Sequence, residues 1–215
     1  MPRAREPRAG ELRLLARLRS PGDIQRLLDA TPYSTDPIYR APHRVLRDRR
    51  AHCVDGALLA ALALRRLGHP PLVVDLRAER DDDHVIAVYR VRRHWGAVAK
   101  SNVVALRYRE PVYRSLRELV MSYFDWYYNT DGERALRSYS VPLDLARFDA
   151  LDWPRQDAAA DDIVAALDRA RHYSLLTPAM LKALRPVDER TYRAGLYGAD
   201  PAGLYGADRL KIELG

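Results

Sequence analysis

Hydrophobic positions along this chain recur at helical spacing in some stretches and at every second residue in others, with prolines and glycines between them. "ELRLLARLRS" sets Leu12, Leu15 and Leu18 on one stripe with arginines on the other side, which predicts a short amphipathic helix. Residues 1–10 before it read as disordered. "SPGD" breaks the pattern, and Asp23 is placed to cap a second helix through about Ala30. Pro32, Pro37 and Pro42 make residues 31–47 an extended loop. A long Ala- and Leu-rich helix then runs from near His52 to Gly68, a C-terminal glycine with two prolines after it.

The period then changes. "LVVDL" (72–76) reads as a buried strand, and "RAERDDD" as a polar loop. "HVIAVYRV" and "WGAVAKSNVV" read as two strands joined by a tight turn at Arg92–Arg93. "SLRE" (115–118) opens a helix through about Tyr128, "NTDGE" is a turn, and "ALRSYSVPLDL" is extended, with Pro142 at an edge or strand end. Residues 157–172 form a helix with Ile163, Leu167 and Ala170 on one stripe, and Thr177 with Pro178 starts another. "AGLYGAD" occurs twice, at 194–200 and 202–208, and two seven-residue units are too few for a solenoid. Its Leu196/Tyr197 and Leu204/Tyr205 pairs are anchors for a docked tail, on the same chain or on a second copy in a homo-oligomer. The closing "RLKIEL" alternates like a half-buried strand. These elements divide the chain into a basic arm with short helices (1–30), an α+β core (31–153), and C-terminal helices with the repeat-containing tail (154–215).

Composition narrows the classes. The 215 residues suffice for a core without disulfides, and the single cysteine excludes an intramolecular disulfide and any multi-cysteine metal cluster within one chain. No apolar run reaches the length of a membrane span, and the N-terminus has no secretory apolar region, so the expectation is a cytoplasmic protein without a membrane partner. Of the net charge of +7, four units lie in residues 1–20, which hold six arginines and two glutamates. Such an arm suits anionic surfaces, but no nucleic-acid-binding motif follows it, so nucleic acid is not the expected partner. Three consecutive aspartates at 81–83 cannot easily converge on one ion and read as a solvated loop, so no metal is expected.

The candidate chemistry starts from Cys53. At a helix start, unpaired N–H groups and the positive end of the helix dipole favour a thiolate and can receive an oxyanion. Gly56, Ala60 and Ala63 share its face and permit close packing on a sheet. A nucleophilic thiol needs a base. His52 is adjacent and faces away, while His84 opens an apolar strand at the rim of a buried surface. If the turn after that strand centres on Arg92, residue 84 lies opposite residue 100, and Asn102 just beyond is placed to orient the imidazole; a slip of one residue substitutes Ser101. The oxyanion hole would use the Cys53 N–H and one upstream donor, with Tyr39, His43 and Arg44 in the preceding loop. Asp55 reads as a structural partner of the helix dipole. Tyr123, Trp126 and Tyr127 in "SYFDWYYN" read as packed residues, with a groove lining as the other reading.

"HCVDGALLAALALRRLG" followed by "DDDHVIAVYRVRRHWGAVAKSN" resembles the transglutaminase-like branch of the papain-like cysteine protease and acyltransferase superfamily. The resemblance covers residues 39–105, and 39–150 is similar to uncharacterised bacterial proteins of this type. It rests on a Cys opening a helix, a His opening a strand, and the Trp95 strand that follows. It departs at the third position, where those proteins carry Asp and this chain reads "AKSN". The resemblance implies an α+β papain/transglutaminase-like core, with the Cys helix on an antiparallel sheet and helical additions at both ends. It implies a cofactor-free hydrolase or acyltransferase in which Cys53, His84 and Asn102 or Ser101 act on a peptide, protein or small amide, with Trp95 near the groove. The competing readings are a binding module with an inert Cys53 and, more weakly, a nucleic-acid accessory protein using the basic arm.

Overall fold

The computed structural model describes residues 9–210. The expected disordered arm lies outside them except for Ala9 and Gly10, which are already helical, and "RLKIEL" lies mostly outside them. Helices α1 (Ala9–Arg17), α2 (Pro21–Asp29), α3 (Pro42–Asp48) and α4 (Cys53–Arg66) precede the strands. Then come β1 (Leu72–Ala78), β2 (His84–Val91), β3 (His94–Val98), β4 (Arg109–Tyr113), α5 (Leu116–Phe124), β5 (Leu136–Ser140) and β6 (Leu143–Asp144). The chain closes with α6 (Asp157–Arg169), β7 (His172–Ser174), α7 (Pro178–Ala183) and α8 (Glu189–Leu196). The architecture is α+β, and among the described residues the strands form one antiparallel sheet in the order β4-β3-β2-β1-β5-β7, with β6 also paired to β1. Among these residues no helix is long and apolar enough to cross a membrane.

Alternation along the central strands divides the core. Val73, Val85, Ala87 and Tyr89 face α2, α4 and α6, whereas Val74, Leu76, Ile86 and Val88 face α5. Helices therefore cover both faces, which is why β2 is buried for six residues before its two exposed ends. Helix α4 is apolar almost all round because α2, α3 and the sheet enclose it. A Cβ built at Gly56 would overlap the Cβ of Lys100, so this glycine sets how closely α4 approaches the chain leaving β3. Lys100 is itself buried, and its Nζ donates to the carbonyls of Leu28 (3.0 Å) and Thr31.

Three expectations change. Pro42 is the first residue of α3 rather than part of a loop, the position where a missing N–H costs nothing. Helix α5 stops at Phe124, so Tyr127 and Tyr128 lie beyond it and turn inward independently. The Arg92–Arg93 turn has positive φ at both residues (46° and 72°) and pairs Val91 with His94. This two-residue hairpin shifts the alignment by one from a turn centred on Arg92, and pairing ends at Ala87 with Val98.

Candidate active site

A cleft of about 490 Å³ opens where α4 begins and β2 begins, and it contains both Cys53 and His84. Its position follows from the start of α4. His52 is the N-cap: its Nδ1 accepts the Val54 N–H at 3.1 Å, and its own N–H donates to Asp55 Oδ2 at 3.3 Å. The other ring nitrogen, Nε2, lies 3.6 Å from Asp55 Oδ1. His52 thus serves the helix start through Nδ1, and burial lowers its pKa. Asp55, fully buried, also accepts from the Arg40 N–H at 2.7 Å and pairs with the Arg40 guanidinium at 3.4 Å, a structural role.

Cys53 is half-buried, and its Sγ lies 3.8 Å from the Asp83 carbonyl oxygen, to which the thiol donates. Burial pushes the thiol up to about 11; the N–H groups of Val85 and Val54 pull it down, and the Asp82 and Asp55 carboxylates push it further up. Desolvation thus opposes the lowering expected from the helix start and is the larger of the two effects.

His84 is buried, and its side chain shares the α5 face with Ile86 and Val88, whereas Cys53 packs on the α4 face beside Val85. Thiol and imidazole thus enter one cleft from the two sides of the end of β2, and among the described residues no hydrogen bond joins them. The His84 Nε2 lies 2.8 Å from the Leu106 carbonyl oxygen. A carbonyl only accepts, so Nε2 carries the proton and Nδ1 is left as the acceptor. Burial pushes the imidazole down to about 4, partly opposed by the Leu106 hydrogen bond and reinforced by the Arg109 charge. Near neutral pH both groups are therefore uncharged.

The orienting role expected of Asn102 is not what the structure contains. Its Nδ2 donates to the Asp200 carbonyl at 2.8 Å and its Oδ1 accepts the Asp200 N–H at 2.9 Å, so its amide serves the C-terminal segment. Ser101, the alternative, uses its Oγ to accept the Val103 N–H at 3.0 Å. Both residues still line the cleft that holds Cys53 and His84, but the chain leaves β3 at Val98, buries Lys100 between α2 and α4, and commits their side chains to Asp200 and Val103. Leu106 returns instead, and a backbone carbonyl has no side-chain signature by which a sequence could announce it.

Tyr39 lines the cleft with its ring edge-on to His52 at 5.4 Å. His43 and Arg44 do not line it, because they lie on α3. There the His43 Nδ1 is 3.4 Å from Glu11, and Arg44 pairs with Asp48 and Asp157. Trp95 also stands apart, packed on the α5 side beneath the Arg90 guanidinium at 4.9 Å. Tyr123 is core, whereas Tyr127 is buried and still lines the cleft, with its hydroxyl donating to the Asp82 carbonyl at 2.5 Å.

Features that sequence reasoning missed complete the walls. Six aspartates (36, 75, 81, 82, 83 and 168) line the cleft, and among the described residues no lysine or arginine does, in a chain whose net charge is +7. Burial and its neighbours Asp82 and Asp83 push Asp81 up to about 7, although the Asp82 N–H hydrogen bond opposes this. Asp75, buried on β1, is held by His172 Nε2 at 3.0 Å. Residues 202–205 of the repeat-containing tail form one edge. No protein-family model matches the chain, and no match is found among curated proteins.

Proposed function

We propose that this chain is a thiol-dependent acyl-transfer enzyme of the transglutaminase-like, papain-related type, acting on an amide or peptide through a thioester at Cys53. The observation that carries the reading is a half-buried thiol at the start of α4 in one cleft with an imidazole whose Nε2 is held by the Leu106 carbonyl, which leaves Nδ1 as the acceptor. The thiol turns from the Asp83 carbonyl toward His84, a movement in keeping with the long contacts typical of substrate-free sites. Cys53 Sγ bonds to the carbonyl carbon as its proton passes to His84 Nδ1. The Cys53 N–H at the start of α4 faces the oxyanion. The imidazolium returns the proton to the leaving nitrogen, the C–N bond breaks, and a thioester remains. Water, deprotonated by His84, then attacks the thioester carbon, the C–S bond breaks, the acid leaves and the imidazolium returns the proton to Cys53 Sγ; an amine in place of water yields the new amide by the same steps. The Leu106 carbonyl, in place of a side-chain amide, keeps the imidazole in the tautomer these steps need.

A second reading, a binding module with a structural Cys53, is favoured by the absence of a thiol–imidazole hydrogen bond among the described residues and by the raised thiol. Acylation separates the two. The full chain is incubated with p-nitrophenyl acetate and the acetyl group is located by mass spectrometry. The enzyme reading expects rapid acetylation of Cys53, loss of the signal in Cys53→Ala, and slowing by about two orders of magnitude in His84→Ala, the scale of general-base assistance. Acetylation no faster than at an ordinary thiol, or unchanged in His84→Ala, establishes the binding module instead.

A further inference from the structure

We propose that residues 199–205 form a releasable strap across the Cys53 cleft, clasped by Asn102, which sets the size of molecule that reaches the thiol. The anchor before the strap is firm. Tyr192 and Leu196 of α8 are buried, Tyr128 stacks on Tyr192, and the Tyr128 hydroxyl donates to the Thr191 carbonyl at 2.7 Å. A Cβ at Gly195 would overlap the Tyr128 hydroxyl, so the helix is seated closely.

The strap itself is held differently. Gly198 and Gly206 bracket it, with φ of 69° and 65°, conformations that favour glycine and suit pivots. Among the described residues between them, Ala199 is buried and the contacts that hold the rest are mainly polar. Asn102 grips the Asp200 peptide from both sides, Thr130 Oγ1 donates to the Tyr205 carbonyl at 3.2 Å, and Leu204 is half-buried against the Tyr128 cluster. Pro201 and Ala202 are exposed. A segment with little apolar burial and solvent-accessible hydrogen bonds opens locally, without unfolding the domain. Closed, it fills one edge of the cleft with residues 202–205. Its seat is close enough that a Cβ on Gly203 would come within 2.9 Å of the Tyr33 ring and of Asn102 Nδ2. Asn102 was the expected orienter of His84, and here it acquires a different assignment, as the catch of the strap.

The strap governs access whether or not Cys53 is catalytic, so its test reads access rather than turnover. Cys53 of the full chain is alkylated with iodoacetamide and, separately, with a maleimide carrying a long polyethylene glycol chain. The variants are Asn102→Ala, which removes the catch, and Gly203→Val, which pushes the strap off Tyr33. In both, the bulky reagent is expected to react faster, on the order of tenfold, in proportion to the open fraction, while the rate with iodoacetamide hardly changes. An unchanged ratio of the two rates in both variants overturns the proposal. Hydrogen exchange on the unmodified chain gives a second measurement, independent of the stability of either variant. The Asp200 and Leu204 amides exchanging ahead of the core amides of β2 supports a strap that opens; their exchanging only with the core overturns it. Failure of the acylation test with a positive result here removes the enzyme and leaves the strap.

Discussion

The rate at which Cys53 is alkylated, followed against pH, tests how burial and the helix start compete at the sulfur. An ordinary thiol titrates near 8.5, and here burial pushes the group up to about 11. At neutral pH the thiolate fraction should therefore be on the order of a hundredfold below that of an ordinary thiol, since each unit of pKa is a factor of ten. A helix N-terminus stabilises a negative charge by roughly 0.3–2 kcal/mol, whereas a shift of this size corresponds to about 3 kcal/mol in the opposite direction, so desolvation and the neighbouring carboxylates outweigh it. The assay is iodoacetamide labelling quenched at intervals and read by mass spectrometry; with one cysteine in the chain, the signal has a single source. The inflection should lie well above 8.5. Asp82→Asn should lower it, an effect that weakens with added salt because Asp82 is exposed. His84→Ala should leave it in place, because a neutral imidazole lends the thiolate no charge. An inflection at or below the ordinary thiol value, or one that rises in His84→Ala, would refute this and show a thiolate–imidazolium pair.

The depressed His84 pKa makes stability depend on acid. The unfolded chain takes up the proton near 6.5 and the folded chain only near 4, so stability contributed by neutral His84 is present above the first value and is lost as pH falls through that window. Urea unfolding should show the wild type losing about 3 kcal/mol more than His84→Gln between neutral pH and pH 4, and parallel profiles would contradict the burial argument. Gly56→Ala should destabilise the fold by about 1–2 kcal/mol in the same assay. The new methyl group meets Lys100 close to its backbone, at an overpacking cost of roughly 1–3 kcal/mol, which outweighs the ~1 kcal/mol of helix propensity gained. A more stable variant would mean that α4 can shift to accept it.

What the sequence by itself determined was local and periodic. The start of α4 at Cys53, its stop before Gly68, the strand beginning at His84 and the turn at Arg92–Arg93 are all written in nearest-neighbour chemistry: caps, breakers, and the period of apolar residues. That Cys53 opens α4 and His84 opens β2 was legible for the same reason. What it did not determine was every relation that depends on a second segment folding against the first. Leu106 supplies its carbonyl to His84 only because the loop after β3 returns, and Asn102 is drawn to Asp200 only because α8 docks beside it, 98 positions along the chain. The thiol is raised rather than lowered because α4, β2 and the 81–83 loop together take it out of water, a quantity with no local signature. Alternation puts His84 on the face of Ile86 and Val88, but only tertiary packing decided that α5 covers that face and α4, with Cys53, the other, so that the two groups approach their cleft from opposite faces of the sheet.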